Sequence, residues 1–429
     1  MSRIAILFDN FGPYHLARLS AASAVSKLLA VEFGSSSTEY EWKASEANGL
    51  QRVALNDRGS SDDLSPEEFQ KRLDAVLDEF NPDAVVVPGW GYRGALLALW
   101  WGLSHRVPVI CMSESTQWDE ARNPIKEWIK RRIISLFSSA LVGGTPHRAY
   151  MLELGMPADR IFLGYDIIDN DYFEKGAKVA QHSGFKLAGP AVALHPLRPV
   201  SGFSASKPYF LASARFIEKK NLPRLLRAYA LYRRKVESPG SRVEGLDSGF
   251  RSQVSSLPDP FDLVLLGDGT QRSELEKLRS EVGLEDCVEM PGFKQYEELP
   301  SYYAHAGAFI HASTTEQWGL VVNEAMASGL PVLVSNRCGG AADLVKDGEN
   351  GWTFDPTNEE QMADLMLKIA SDEARRMQMG LRSHEIIAEW GPDRFASGVK
   401  AAVEAALAAP QKKAGLLDQL ILKVLTSKR

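Results

Sequence analysis

The sequence predicts an α/β protein with two doubly wound domains, each built on a parallel β-sheet, that face each other across a cleft. The chain has 429 residues, which is too long for one ordinary hydrophobic core and indicates two domains. Short apolar runs alternate with helix-patterned segments in both halves, as is typical of a parallel sheet covered by helices on both faces. A stretch rich in Gly, Pro, Ser and Ala, from Gln181 to Pro208, suits a connection between the halves.

Each half contains five runs that predict strands. In chain order they are RIAILFD, AVVVPG, PVICMS, SALVGG and RIFLGYD in the first half, and YFLASAR, DLVLLGDG, CVEMPGF, AFIHAS and PVLVSN in the second. The run ALLALWWGL predicts a buried helix, and Ala388 to Leu407 predicts a helix that begins after a Trp-Gly-Pro break. A second loop-like segment, Glu237 to Pro260, predicts a surface insertion.

The composition argues against several classes of function. Hydrophobic residues make up 45% of the chain and charged residues 24%, as in a soluble globular protein. The net charge of -6 gives no reason to expect a nucleic-acid partner. The three cysteines are widely spaced and form neither a metal motif nor a disulfide framework, which suits a reducing cytosol. The first apolar run is too short for a signal peptide, and no run approaches the ~18 residues of a membrane span, so we expect a cytoplasmic protein.

Charged residues or glycines follow nearly every strand predicted in the second half. In strand order they are Arg215 and Lys220; Gly267, Asp268 and Gly269; Gly292 and Phe293; Glu316; and Cys338, Gly339 and Gly340. In open α/β sheets, ligands bind outside the carboxyl ends of the strands. We therefore predict a binding site at this edge of the second sheet.

The chemistry of these residues points to a nucleoside diphosphate. Arg215 and Lys220 can neutralise two phosphates. Gly319 and Leu320 open a predicted helix, whose unpaired amides and positive dipole end favour an anion. Glu324, inside that helix, can accept two hydrogen bonds from a vicinal diol such as ribose.

The stretch TTEQWGLVVNEAMASGLPV carries two glutamates of the candidate site. Its helix is predicted to end at Gly329 as a left-handed cap, and Pro331 prevents continuation. Taken alone, the spacing of Glu316 and Glu324 favours an ordinary interpretation, with one carboxylate in a loop and one solvated carboxylate on the helix. The surrounding strand ends are what favour a ligand site.

Other phosphate and metal motifs are weaker. GDGTQRSE lacks the third glycine of the dinucleotide fingerprint, and the chain has no GxxxxGK[ST] motif, which argues against a P-loop ATPase. Asp169 to Asp171 could be taken for a metal-binding DxD, but its position before Tyr172 and Phe173 favours a helix start. We therefore expect no metal and no cofactor beyond the nucleoside diphosphate.

The stretch EQWGLVVNEAMASGLPVL resembles the E-x7-E motif of retaining glycosyltransferases with the GT-B fold, in particular family 4, the glycosyl transferases group 1. SARFIEKKN, LVLLGDGTQRSELEKL, VEMPGFKQYEELPSYYAHAGAFIHAS and NRCGGAADLVKDGENGWTFDP resemble further blocks of that family, in its order, from about Phe210 to Pro356. In the first half, ADRIFLGYDIIDNDYF and DNFGPYHLARL are similar to it more loosely.

The resemblance implies the GT-B architecture of two Rossmann-like domains. Residues 1–195 would form an N-terminal, acceptor-side domain, and residues 205–390 a C-terminal domain that binds the nucleotide sugar. Residues 391–429 would form a helix that crosses back to the N-terminal domain, followed by an amphipathic tail.

The resemblance also implies a role for each matching residue. Arg215 and Lys220 would bind the donor diphosphate and steady the leaving group. Glu316 would face the transferred sugar, and Glu324 would hold the ribose. The remaining donor-binding residues would be Trp318, Gly319 and Leu320 through their backbone amides, Gly292 and Phe293 beside the nucleobase, and Gly12 near the diphosphate.

Two features depart from the family pattern. The first loop of the family often has paired glycines, whereas here Gly12 is followed by Pro13. The family often places a histidine in the N-domain loop that faces the donor sugar, whereas CMSESTQWDEARN offers Glu114 between two serines. His15 and Glu114 are the candidates for an N-domain catalytic or acceptor-side residue, and for each a non-catalytic role is favoured.

The resemblance and the charges together predict a retaining, metal-independent glycosyltransferase. It would move a sugar from a nucleoside-diphosphate sugar to a glycan or lipid-linked acceptor in polysaccharide or glycoconjugate biosynthesis. Two alternatives stay open: a GT-B-fold nucleotide-sugar epimerase, and a non-catalytic nucleotide-sugar-binding protein.

Two basic amphipathic segments bear on the acceptor. NPIKEWIKRRIISLF predicts either a helix lying on an anionic membrane or an ordinary surface helix, with the basic residues Lys126, Lys130, Arg131 and Arg132. The tail QKKAGLLDQLILKVLTSKR predicts one helical stripe of Leu416, Leu417, Leu420, Ile421, Val424 and Leu425. This stripe would touch a membrane, a partner subunit or the N-terminal domain. Together the segments favour a lipid-linked or membrane-proximal glycan acceptor, with the protein in the cytoplasm or peripheral at the inner membrane face.

Overall fold

The structure, a computed structural model, describes residues 1–35, 49–182, 207–237 and 260–427. The chain divides into two compact units, of which the first comprises Met1–Asp169 with Trp390–Arg429 and the second Asn170–Glu389. The predicted connection and the predicted insertion fall mainly on residues 183–206 and 238–259, which lie outside the described residues.

The first unit is built on a seven-stranded parallel sheet with the strand order β3-β2-β1-β4-β5-β6-β7. Its strands are β1 (Arg3–Phe8), β2 (Lys27–Glu32), β3 (Arg52–Ala54), β4 (Ala84–Pro88), β5 (Val109–Ser113), β6 (Ser139–Val142) and β7 (Ile161–Leu163). Its helices are α1 (Pro13–Ser23), α2 (Pro66–Phe80), α3 (Arg93–His105), α4 (Pro124–Leu136), α5 (Thr145–Glu153), α14 (Pro392–Ala408) and α15 (Leu416–Thr426).

The second unit is built on a six-stranded parallel sheet with the strand order β10-β9-β8-β11-β12-β13. Its strands are β8 (Tyr209–Ser213), β9 (Asp262–Leu266), β10 (Val288–Gly292), β11 (Ala306–His311), β12 (Val332–Ser335) and β13 (Gly351–Phe354). Its helices are α6 (Asn170–His182), α7 (Leu222–Glu237), α8 (Arg272–Glu281), α9 (Leu299–Ala304), α10 (Leu320–Ala327), α11 (Ala341–Leu344), α12 (Glu359–Ala370) and α13 (Glu373–Ala388).

Both sheets are doubly wound, which confirms the predicted fold class. The strand order reverses between β1 and β4 in the first sheet and between β8 and β11 in the second. Every run that predicts a strand contains one, because a strand covered on both faces must be apolar almost throughout; all five residues of β4, for example, are buried. The cleft between the two domains stays a prediction.

Three strands were not predicted, namely β2, β3 and β13. Only Ala24, Val25 and Ser26 separate α1 from β2, so the apolar residues of β2 continue the pattern of the preceding helix. β3 and β13 are very short edge strands. Such strands carry too little periodicity to stand out from a loop.

The first of the two stretches that form the first unit ends at Asp169, upstream of the predicted domain boundary at residue 195. α6 belongs to the second unit, where it packs on α9 and α10. Its buried face includes Phe173 and Ala177, and the Phe173 ring lies 5.9 Å from the ring of Tyr303. An amphipathic helix belongs to the unit whose core its apolar face covers. The position of the helix along the sequence does not show which core that is.

The helices α14 and α15 belong to the first unit although the whole second unit precedes them in the chain. Phe395 and Val399 of α14 are buried in one core cluster with Ile6 of β1. Leu422 of α15 is buried in the cluster on the opposite face of the same sheet, which includes Leu7. Both faces of the first sheet are therefore completed from the far end of the sequence.

The run ALLALWWGL forms most of α3 and is largely buried, as the sequence predicts. It packs in the same core cluster as Leu422. Across the four described stretches, no helix is both long and apolar enough to cross a membrane.

Candidate active site

Close contacts fix the loop after β8 against the loop after β9. The Phe216 N–H donates to the carbonyl oxygen of Asp268 at 2.8 Å. A Cβ at Gly267, where φ is 135°, would lie 1.9 Å from the carbonyl oxygen of Ala214, so glycine is required for this approach. The GDG sequence therefore positions the loop that carries Arg215, which lies half-buried at the carboxyl edge of the sheet.

The loop after β11 is held between its two neighbours. The Thr314 N–H donates to the carbonyl oxygen of Lys219 in the loop after β8, at 2.9 Å. The Glu316 N–H donates to the carbonyl oxygen of Arg337 at 3.0 Å, and the Gly339 N–H donates to the carbonyl oxygen of Glu316 at 2.9 Å. The backbone thus fixes Glu316 at the centre of the edge where the sequence predicts a ligand.

The carboxylate of Glu316 is the centre of a polar cluster. It forms an ion pair with Lys220, and both side chains are largely buried. The same oxygen, Oε2, lies 3.1 Å from Nε2 of His311 and 3.3 Å from Oγ of Ser313. The structure therefore brings together two of the three predicted catalytic residues and adds His311 and Ser313, which the sequence analysis missed.

Opposing effects set the charges in this cluster. Burial favours the neutral form of Glu316, but the hydrogen bond from His311 and the charge of Lys220 together hold the pKa of Glu316 well below its usual range. Burial lowers the pKa of His311, so this histidine is neutral at pH 7. We assign its proton to Nε2, which faces the carboxylate. The cluster thus combines an anionic carboxylate, an ammonium group and a neutral imidazole.

The helix α10 begins next to this cluster. It starts at Leu320, with Gly319 as its N-cap at φ 93°, and Gly329 (φ 79°) follows its end, as the sequence predicts. A Cβ at Gly319 would lie 3.0 Å from Sγ of Cys338 and 3.5 Å from Cγ of Glu316. The first amides of a helix have no carbonyl partner within it, so the positive end of α10 lies beside the loop of Glu316.

The side chain of Trp318 stabilises this loop from inside. Its ring is buried, and its Nε1–H donates to Oδ1 of Asn323 at 2.9 Å. Its carbonyl oxygen accepts hydrogen bonds from Sγ of Cys338 at 2.8 Å and from the Gly340 N–H at 3.1 Å. The role assigned to the backbone amide of Trp318 at the donor stays a prediction.

Glu324 is completely buried, so its interpretation as a solvated carboxylate is wrong. The hydroxyl of Tyr303, in α9, donates to its Oε2 at 2.6 Å. Burial, and after it the charge of Glu324, raise the pKa of this tyrosine well above its usual value. The predicted contact of Glu324 with ribose stays a prediction, and the hydrogen bond from Tyr303 helps to orient the carboxylate.

Gly292 and Phe293 lie where β10 ends, at one side of the same edge. The carbonyl oxygen of Gly292 accepts a hydrogen bond from the Gly267 N–H at 3.1 Å. Phe293 is 37% exposed. Aromatic rings can stack on nucleobases, and the contact of Phe293 with the base stays a prediction.

In the first unit, His15 lies in the first turn of α1. Its Nδ1 accepts a hydrogen bond from the Gly12 N–H at 3.1 Å, and its ring lies 4.4 Å from the ring of Phe8. Burial, and after it the charge of Arg18, lower the pKa of His15 to about 3. Because Nδ1 accepts, the neutral ring carries its proton on Nε2, and His15 is a hydrogen-bond donor rather than a ready base.

Glu114 lies half-buried after β5, near a buried ion pair that the sequence analysis missed. Arg18 and Asp166 lie 3.3 Å apart with both side chains buried, and the Arg18 guanidinium lies 4.6 Å from the ring centre of Tyr165. Burial and the charge of Glu114 raise the pKa of Asp166, which Arg18 partly counteracts. The partners of this pair lie far apart in the sequence, and no local motif connects them.

The described part of the chain holds no group of three or more His, Cys, Asp or Glu side chains arranged to hold a metal ion. The candidate DxD sequence lies at a helix start, because α6 begins at Asn170 and Asp171 pairs with Lys175 at 2.6 Å.

Two families match the chain. The family of the glycosyl transferases group 1 matches residues 196–385, and that of the glycosyl transferase 4-like domain matches residues 16–163. Each match thus falls mainly on one of the two units.

The chain is similar to curated glycosyltransferases over part of its length. It is 29% identical over 183 residues to the lipopolysaccharide core biosynthesis glycosyltransferase LpsE of Rhizobium meliloti, covering 43% of this chain and 45% of that protein. It is 31% identical over 158 residues to the GDP-mannose-dependent alpha-(1-6)-phosphatidylinositol monomannoside mannosyltransferase of Mycobacterium tuberculosis, covering 34% of this chain and 41% of that protein. The chain thus spans less than half the length of each relative.

Solved structures share the fold. Anabaena Alr3699/HepE, solved in complex with UDP-glucose, matches with a TM-score of 0.66 at 15% identity, covering 94% of this chain and 100% of that one. This likeness shows the GT-B fold, two Rossmann-like domains each with a parallel sheet. The two family matches together span most of the chain, which therefore belongs to the group 1 glycosyltransferases, family 4, as the resemblance in its sequence implies.

Proposed function

We propose that this protein transfers a sugar, with retention of anomeric configuration and without a metal ion, from a nucleoside-diphosphate sugar to a glycan or lipid-linked acceptor. The observation that carries the proposal is the cluster of Lys220, Glu316 and His311 beside the start of α10. Retention follows from the family, and metal independence from the charges of the cluster.

The chemistry of the leaving group accounts for the cationic residues. As the nucleoside diphosphate departs, negative charge develops on its phosphate and positive charge on the anomeric carbon. Arg215, Lys220 and the amides at the start of α10 would stabilise the phosphate, and preorganised groups of this kind often supply the largest part of catalysis. Glu316 would orient Lys220 and accept a hydrogen bond from a sugar hydroxyl.

The relatives support the substrate classes. The Mycobacterium relative is named for GDP-mannose and a phosphatidylinositol mannoside, and the Rhizobium relative for the lipopolysaccharide core. The Anabaena structure contains UDP-glucose. All three names are consistent with a nucleotide-sugar donor, and the first two with an acceptor that is a glycan or carries a lipid.

A thermal-shift panel of UDP, GDP, ADP and their sugars tests the donor, because a ligand that binds only the folded state raises the melting temperature. We expect one nucleoside diphosphate and its sugar to raise it and the Lys220→Ala variant to lose most of the shift. The stabilising donor is then incubated without acceptor, where we expect slow hydrolysis to the sugar and the nucleoside diphosphate.

Three results would contradict the proposal. They are a panel without any shift, release of an epimerised sugar in place of the donor sugar, and binding without either hydrolysis or transfer. The second would indicate the epimerase alternative, and the third the non-catalytic binding protein.

A further inference from the structure

The helices α4 and α15 expose large apolar side chains on neighbouring parts of the first unit. The helices pack on each other, and Arg132 of α4 forms an ion pair with Asp418 of α15 at 2.7 Å. The exposed apolar residues, which we call the α4/α15 surface, are Ile125 and Trp128 on α4 and Leu416, Leu417, Leu420 and Val424 on α15.

The tail helix α15 is anchored on one side only. Leu422 is completely buried, while Ile421 and Leu425 pack against the same core cluster. Of the six residues of the predicted stripe, Ile421 and Leu425 therefore face the core of the first unit, and the other four remain exposed. The inner face fixes the helix to the first unit, so the outer face is presented on a rigid support.

The segments that form this surface are strongly basic. Residues 124–136 contain four basic residues and one acidic residue, and residues 412–429 contain five basic residues and one acidic residue. Together they carry a net charge of +7, whereas the whole chain has a net charge of -6. Positive charge is thus concentrated in these two segments.

Several acidic groups near α4 are already paired. Glu120 pairs with Lys126 at 3.1 Å and with Lys130 at 2.9 Å, and Asp418 is held by Arg132. Arg131, Lys413 and Lys423 remain exposed on the two segments. Apolar side chains bordered by exposed cations are typical of helices that lie in the interface of an anionic membrane.

We propose that the α4/α15 surface docks on the surface of an anionic lipid bilayer. The leucines of α15 would enter the acyl boundary, Trp128 would lie at the headgroup level, and the cations would contact anionic headgroups. A second copy of the chain fits less well, because two-fold pairing would place the same basic patch against itself. This inference stands apart from the proposed sugar transfer, since docking requires neither donor nor acceptor.

Vesicle flotation of the full chain tests the proposal. Vesicles are made of phosphatidylcholine alone or of phosphatidylcholine mixed with phosphatidylglycerol. We expect binding to the anionic vesicles, little binding to the neutral ones, and release at high salt because screening weakens the attraction.

Two sets of substitutions separate the apolar and the charged contributions. The first is Leu416→Ser, Leu420→Ser and Val424→Ser combined, and the second is Arg131→Glu, Lys413→Glu and Lys423→Glu combined. For the second set we expect the partition coefficient on anionic vesicles to fall by ~100-fold or more, given the energy of each cation near such a surface. The matched controls are Met377→Ser with Leu381→Ser, and Lys277→Glu, at exposed positions of the second unit.

Each outcome decides the proposal. Loss of binding in both sets, with melting temperatures and controls unchanged, supports it. Absence of binding to anionic vesicles, or binding that neither set weakens, overturns it. A concentration-dependent dimer that the serine set dissociates would overturn it in favour of an interface between two copies. A protein that binds vesicles but transfers no sugar leaves this inference intact and contradicts only the proposed function.

Discussion

The ammonium group of Lys220 forms an ion pair with the carboxylate of Glu316. A pyrophosphate in the site would share this cation with the carboxylate and would also interact with Arg215 and the start of α10. The pairing fixes the position of the ammonium group, so that it is preorganised to stabilise the charge that develops on the leaving group.

Removal of either cation tests this view. We expect Lys220→Ala and Arg215→Ala each to lower kcat by at least ~100-fold, as for the loss of one preorganised donor. The assay measures release of nucleoside diphosphate at saturating donor. Lys277→Ala, at an exposed position of α8, is the matched control, and a Lys220→Ala variant with near-normal turnover would falsify the assigned role.

We expect the pH dependence of kcat/KM to change when His311 is replaced. The pKa of Glu316 is lowered in the folded protein, so its carboxylate stays ionised when the pH falls through the usual pKa of a glutamate. We therefore expect no acid limb from this group in the kcat/KM profile of the wild type. In His311→Leu the hydrogen bond is lost while the charge of Lys220 remains, so we expect the pKa of Glu316 to rise and an acid limb to appear at higher pH than in the wild type. Gln can replace the Nε2–H donor, and His311→Gln should retain most of the wild-type profile.

Both Glu316 and His311 make the stability of the protein fall as the pH falls. The carboxylate of Glu316 contributes stability above its unfolded pKa, which is lost as the pH falls through the lower folded value. His311 has a folded pKa below the unfolded 6.5, so the unfolded chain binds its proton first and stability falls below that pH. Identical profiles for wild type and both variants would contradict the role of His311.

The sequence predicted part of this site for a physical reason. Lys220 and Glu316 follow parallel strands, whose carboxyl ends meet at one edge, so their proximity could be inferred. His311 is a single polar residue at the end of an apolar strand, and the run AFIHAS does not reveal what its ring contacts. Tyr303 meets Glu324 from another helix, and Arg18 meets Asp166 across the first unit. Such pairs depend on packing, which a single sequence does not encode locally.

At the scale of elements, α10 depends on its N-cap residue, Gly319. Gly319 combines a positive φ with a close approach to Cys338, so it serves both as the helix cap and as the contact between two loops. The helix and its start were predictable from Gly319 and the stop at Gly329. The contact with Cys338 was not, because it joins two separate loops.

We expect Gly319→Ala to destabilise the second unit by about 1–3 kcal/mol, the cost of a strained backbone conformation, and to weaken nucleotide binding. Gly283→Ala is the matched control, since Gly283 also has a positive φ (68°) but no atom near its absent Cβ. Urea denaturation and the nucleotide-induced shift of the melting temperature are the measurements. Equal losses in both variants would show that the approach to Cys338 adds nothing.

At the scale of the whole molecule, the sequence revealed two sheets but not the membership of every helix. Each apolar run that predicts a strand can be recognised from its own residues, and these runs were sufficient to predict the fold class. α6 belongs to the second unit because it packs on α9 and α10. The amino-acid composition around Asn170, where α6 begins, does not predict these contacts.

The whole protein should work without a divalent metal, because its own cations and helix amides would stabilise the departing diphosphate. We expect turnover in excess EDTA to equal turnover without it, and added manganese to bring no gain. The measurement is the initial rate of nucleoside-diphosphate release after dialysis against the chelator. Loss of turnover that manganese restores would count against a metal-independent mechanism.

The position of α14 and α15 in the first unit has a consequence for synthesis on the ribosome. When residues 1–169 emerge, the sheet faces that Val399 and Leu422 will cover are still open, and the whole second unit is translated before those helices appear. Domains generally fold as units during translation, and exposed apolar surface promotes aggregation. The first unit should therefore complete its folding last. A fragment that stops at Asp169 should depend on chaperones or be degraded. Residues 170–389, in contrast, should be obtainable as a stable product.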